Sequence, residues 1–175
     1  MPTSFGNIIR AFEVYSRVMY GIDAIPGWPR LISVIPKDYN NIIRDVKSIV
    51  DFWVNIWMLT WIIIIEYIAL AAYQKVAHII WFPFIMLAFS FFVFSRAKVA
   101  ALEWGEMVKA SFDVFLPALY EKLGFLFPKN RDEERKLWHD FGQAVIYRTP
   151  DNFPTRVKKT ANNFPEKETT NHTGE

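Results

Sequence analysis

The sequence predicts an all-α membrane protein: a two-helix transmembrane hairpin whose helices extend into a cytoplasmic helical region, followed by a disordered C-terminal tail. Three observations predict it. The chain of 175 residues is 52% hydrophobic, against about 45–50% for an ordinary soluble domain. Its apolar residues are concentrated: 14 uncharged residues separate Asp51 from Glu66, Tyr67 to Gln74 adds eight, and Val76 to Ser95 gives 20. A bilayer span takes about 20 predominantly apolar residues, so two spans fit, at 52–73 and 76–95, with a break at Gln74-Lys75. One continuous helix over that block would run about 65 Å, far beyond a hydrocarbon core of roughly 30 Å, so the chain turns back. The competing reading is a buried hairpin in a soluble bundle, but soluble core helices rarely stay apolar all round for this long.

Four regions follow. Residues 1–51 form an N-terminal region with an amphipathic helix and a Pro-rich loop, 52–95 the hairpin, 96–148 a helical region and 149–175 the tail. Phe5, Ile8, Ile9, Phe12, Tyr15 and Met19 make one apolar stripe at helical spacing, with Arg10, Glu13 and Arg17 opposite. Such a helix either lies on the membrane surface or packs on the rest of the chain. Gly21 to Pro36 holds prolines at 26, 29 and 36 and predicts an apolar loop rather than a regular helix. Asp38 or Asn40 caps the next helix, which carries Ile42, Ile43, Val46, Ile49 and Val50 and enters the first span without a break.

The second span leaves in the same way. No proline interrupts it until Pro117, Gly105 is its one weak point, and it stops around Gly124. Trp104, Val108, Phe112, Phe115 and Leu119 lie on one face, and Glu106, Lys109 and Asp113 on another. Asn130 and Glu133 form a capping-box pattern before a last helix, whose buried side is Leu137, Trp138, Phe141, Ala144 and Val145. The final 27 residues show no periodicity, and "NFP" recurs there at 152–154 and 163–165.

The first 20 residues lack the uninterrupted apolar stretch of a cleavable signal, so insertion is expected to depend on the hairpin. Lys37, Arg44 and Lys47 precede the first span, Arg96, Lys98 and Lys109 follow the second, and the turn has Lys75 alone. Positive charge retained on the cytoplasmic side places both termini there. The sequon Asn171-His172-Thr173 then faces the cytoplasm and carries no glycan.

Chemistry is sparse. A net charge of +2 is too mild to argue for nucleic acid. The absence of cysteine excludes disulfides, thiolate metal sites and thiol nucleophiles. His78, His139 and His172 lie far apart without metal-ligand spacing. Glu103 and Glu106 have no accompanying histidine, and the neighbours His139 and Asp140 point in different directions on their helix. No catalytic residue, metal or cofactor is predicted.

The first span is the exception. On a helical projection Asn55 and Tyr73 each fall about 20° from Glu66, which makes a polar stripe inside the span. Trp57 lies about 180° away, flanked by Trp53 and Trp61; these three and Trp81 are the interface or packing aromatics. An ionised group at the depth of Glu66 costs on the order of 3 kcal/mol, so it faces protein or water rather than lipid. Met86 is expected level with Glu66 across the hairpin, and Ser90, one turn on, is the interhelical hydrogen-bond candidate. The alternatives are Asn55 or Glu66 of a neighbouring protomer.

The expected partners are the lipid bilayer and either a second copy or a partner membrane protein. The first functional reading is an anchor or adaptor that holds a helical platform at the membrane for partner proteins. The second is an oligomeric channel or proton-conducting module built on Glu66. A membrane enzyme without recognisable motif comes third.

Overall fold

The computed structural model describes residues 3–74, 81–149 and 153–154, and within them the chain is entirely helical with short connections. Five helices follow in order: α1 (Ser4–Tyr20), α2 (Ala24–Ile32), α3 (Lys37–Gln74), α4 (Trp81–Leu123) and α5 (Arg131–Tyr147). Helices α3 and α4 pair along their length. At 38 and 43 residues they extend about 57 and 64 Å. Lys75 of the expected break, the expected start of the second span at 76–80 and most of the expected tail lie outside the described residues.

The pairing face of α3 buries Ile43, Val50, Thr60 and Ile64, and that of α4 buries Ser90, Val93, Ala97 and Ala100. These positions fall at a spacing near 3.5, the repeat that keeps two long helices in register. Bulk and smallness alternate across the seam. Trp53 and Trp57 of α3 reach the rings of Phe92 and Phe94, at 6.4 and 5.4 Å, while the alanines of α4 let the backbones approach.

Along the arm of this hairpin the apolar side chains point outward. The most apolar windows of α3 and α4 have mean hydropathies of 1.9 and 1.7, yet only 11% and 28% of their residues are buried. Phe52, Ile65, Phe84 and Phe91 are each more than half exposed. Both helices are long and apolar enough to cross a membrane.

The other end is a packed head. α1 stands beside α4 and runs in the same direction, from Phe5 against Phe94 at 6.4 Å to Phe12 against Trp104 at 4.9 Å. Contact is close at Gly105, where an added Cβ would lie 2.7 Å from Phe12 Cδ1. The residue that weakens α4 as a helix is thus where α1 seats. Of the two arrangements expected for α1, the structure contains the protein-packed one, with Phe12 and Ser16 buried.

The segment 21–36 departs from expectation, because it contains α2 with Pro26 and Pro29 inside. Pro26 is the third residue of α2, where backbone N–H groups have no helical acceptor, so it removes no bond. Pro29 removes one. The bond lost is the one to Ile25 O; one position on, the Arg30 guanidinium donates to Pro26 O at 2.6 Å and sits 5.3 Å from the Phe141 ring centre. α3 begins at Lys37, so Asp38 and Asn40 both lie in its first turn rather than capping it.

α4 continues through Pro117 to Leu123. Gly124, at φ +73, then ends it: its N–H donates to Glu121 O and that of Phe125 to Tyr120 O, a Schellman closure. α5 opens as expected, with Glu133 N–H donating to Asn130 Oδ1 at 2.8 Å. The Glu133 carboxylate accepts from Lys129 N–H at 2.9 Å. The core gathers Ile22, Leu31, Phe112, Leu119, Tyr120, Phe125, Trp138 and Phe141. Phe153 joins it, 5.9 Å from the Phe125 ring and 5.6 Å from that of Phe141. Part of the segment expected to be tail therefore packs.

Candidate functional site

The polar stripe lies on the outward face of α3. Asn55, Glu66 and Tyr73 are all exposed, Tyr73 to 87%. The cause is the seam with α4. Ile64, two residues before Glu66, is buried in it, and a two-residue step turns a helix by about 200°.

Ser90 is on that seam and not beside Glu66. Tyr67 stacks on Phe82 at 4.7 Å and Trp57 on Phe94 at 5.4 Å. This register sets Ser90 level with Thr60, six residues or about 9 Å from Glu66 along α3. Both Ser90 and Thr60 are buried, and Thr60 Oγ1 donates back to Ile56 O at 2.8 Å. The expectation of a Glu66–Ser90 bond within the hairpin is therefore replaced by a Thr60–Ser90 level in the seam.

The tryptophans divide. Trp53 and Trp57 pack on α4, and the Arg96 guanidinium sits 5.8 Å from the Trp53 ring. Trp61 remains 40% exposed, with its ring 6.4 Å from Trp57. Trp81 is 73% exposed at the opposite end of the arm. α4 thus covers the tryptophan side of α3, the side that also carries Ile43 and Val50, and leaves the polar stripe open.

A second constellation, which the sequence reading did not single out as a site, lies in the head. Asp113 accepts from the Tyr15 hydroxyl at 2.9 Å and from that of Tyr20 at 2.7 Å. Lys109 pairs with Glu106 at 2.8 Å and lies 5.7 Å from the Tyr15 ring centre. One signal was present. Tyr15 falls in the apolar stripe of α1, and a packed tyrosine still needs a partner for its hydroxyl. Asp113 lies four residues before Pro117, so its own carbonyl also lacks the usual helical donor.

Burial raises the pKa of Tyr20 above the ordinary tyrosine range, and the hydrogen bond and charge of Asp113 raise it further. The same causes act on Tyr15. Tyr120 is raised by burial and then by Glu134, to which its hydroxyl donates at 3.1 Å. Tyr20, Asp113, Tyr120 and Glu134, with Lys129 and Arg131, line an open pocket of about 500 Å³. A more apolar groove of about 440 Å³ in the head is lined by Val14, Ile25, Trp28 and Trp104, among others.

Glu106 is held by Lys109, and Glu103 and His139 are exposed. Among the described residues no group of three or more His, Cys, Asp or Glu is placed to hold a metal ion. No family model matches the chain, and neither curated proteins nor solved structures yield a match.

Proposed function

We propose that the protein is a small integral membrane anchor or adaptor, whose hairpin holds the helical head at the membrane surface for partner proteins. The observation that carries this reading is the split in packing along α3 and α4. Their outer halves expose large apolar side chains on nearly every face, while their inner halves are built into a head with a core of aromatic rings. Water penalises such an exposed apolar belt, whereas lipid does not.

Arg96 and Lys98 lie at the junction between belt and head, each over an aromatic ring. Basic residues there favour an orientation with the head, and so both termini, on the cytoplasmic side. The second reading, a conducting oligomer, draws on one fact: Glu66 faces away from α4, as a residue lining a pore between copies would.

Exchanging residues 52–95 for an unrelated helical hairpin separates the two. The anchor reading expects the head to stay on membranes and to keep the crosslinked partner bands of the native chain. Loss of those bands from a membrane-bound, folded exchange variant would overturn it.

A further inference from the structure

We infer that the chain pairs with a second copy of itself through the outward face of α3, with Glu66 of one copy meeting Glu66 of the other. This pairing rests on the membrane reading above and names the partner for the open side of the hairpin.

The face is a seam. Phe52, Asn55, Leu59, Ile62, Glu66, Ala69 and Tyr73 follow one another at alternating steps of three and four residues. That is the 3.5-residue repeat by which two helices stay in contact over many turns. The seam is open throughout: Phe52, Leu59, Ile62 and Tyr73 are 55%, 53%, 49% and 87% exposed, and Asn55, Glu66 and Ala69 are exposed with them. Ala69, one turn beyond Glu66, is small enough for a neighbouring backbone to come close.

The chemistry chooses the occupant. Among the described residues of the hairpin, 52–74 and 81–95, there is no lysine or arginine, so these offer Glu66 no counter-charge inside the apolar belt. A two-fold axis along the membrane normal sets each residue opposite itself at equal depth. Glu66 then meets Glu66 and Asn55 meets Asn55. Two carboxyl groups that hold a proton between them, like two carboxamides, set a donor against an acceptor, so each group can be complementary to its own copy. A different protein would have to match two polar groups 11 residues apart, about 16 Å along the helix, in an otherwise apolar face. A second copy satisfies that condition by symmetry.

The chain has no cysteine, so single-cysteine scanning of the full-length protein in native membranes has no background. Leu59→Cys, Ile62→Cys and Ala69→Cys are expected to give oxidative crosslinks of twice the chain mass. Trp61→Cys, Ile65→Cys and Ile68→Cys, which lie on other exposed faces of α3, should give at least fivefold less. An even yield around the helix, a maximum on the second set, or an adduct whose mass is not twice the chain overturns the pairing. In the Ile62→Cys background, Glu66→Leu should lower the yield about tenfold and Glu66→Gln should retain it. Equal yields from all three backgrounds remove Glu66 from the contact. If Glu66→Leu does not accumulate, the scan with Glu66 in place decides alone. Alkaline carbonate extraction runs beside the scan. A chain that is released loses the membrane reading and the pairing together, whereas a retained chain with an even scan loses only the pairing.

Discussion

Tyr20, the last residue of α1, donates its hydroxyl to Asp113 in the last quarter of α4 at 2.7 Å, across 93 positions of sequence. Tyr15 donates to the same carboxylate from one turn and a half earlier in α1. One acidic side chain therefore fixes both the rotation and the height of α1 against α4. Hydrogen bonds to a charged group are worth about 1.5–3 kcal/mol, and less where water competes, as it does here. Tyr20→Phe is expected to cost about 1 kcal/mol and Asp113→Ala more, since it removes both bonds. Thermal melts of the detergent-solubilised protein measure the difference. A Tyr20→Phe melt equal to the native one would show that the ring packing alone positions α1.

The same tyrosines give the head an alkaline limit. Burial, then the carboxylates of Asp113 and Glu134, raise Tyr20 and Tyr120 above the ordinary value of 10.0. The folded head thus holds these protons more tightly than the unfolded chain does. Their contribution to stability is complete below pH 10 and falls as pH rises beyond it, because the unfolded chain loses its phenol protons first. The variant with Tyr20→Phe and Tyr120→Phe should melt lower than the native protein at pH 8, and the gap should narrow steadily above pH 10. A gap that widens with pH would contradict the assignment.

Two glycines close helices with positive φ, but only one is crowded. At Gly124, φ +73, an added Cβ meets nothing within 4 Å. At Gly21, φ +80, it would sit 2.7 Å from Arg135 Cα and 2.8 Å from Arg135 O. Gly124→Ala is expected to cost about 1–2 kcal/mol, the usual penalty for a left-handed residue with a side chain. Gly21→Ala should cost at least twice as much, because α5 must also move and lose the bond from Arg135 to Val18 O, now 2.8 Å. Comparable melting temperatures for the two variants would mean that α5 yields freely.

What the sequence revealed follows from which forces are local. The two long helices were legible because apolar length needs no tertiary information, and so was the stop at Gly124, where a left-handed residue closes the helix. The Asn130–Glu133 cap was legible because both partners lie within one turn. α2 was not legible, because Pro26 and Pro29 were read as breakers; at the third residue of a helix a proline costs no bond, and the helix around the second is held by tertiary packing of Arg30 on Phe141 and Trp28 on Phe112. The face of α3 that meets α4 was ambiguous for a different reason. Both the tryptophan ridge and the polar stripe required partners, and only the register with Phe82, Phe92 and Phe94 selects between them. Asp113 illustrates the remaining limit. A polar residue on a helix surface shows its role only when another helix, 93 positions away, brings it a donor.

Phe153 sets a boundary that composition alone placed elsewhere. The polar residues around it suggest that everything from 149 onward is dispensable, yet its ring lies 5.9 Å from that of Phe125 and 5.6 Å from that of Phe141. Those two rings also contact each other at 5.7 Å, and both contact Trp138, so Phe153 extends a cluster of rings built on α5. Truncating a fully buried phenylalanine costs about 3–5 kcal/mol. Phe153 keeps part of its surface in water, so Phe153→Ala is expected to cost about 1–2 kcal/mol, in proportion to the smaller area buried. Ending the chain after Arg148 should cost the same, and ending it after Pro154 should restore most of the loss. Melting temperatures of the three variants read this directly. If the chain ending at Arg148 melts with the native protein, the ring contacts contribute nothing and the boundary returns to residue 149.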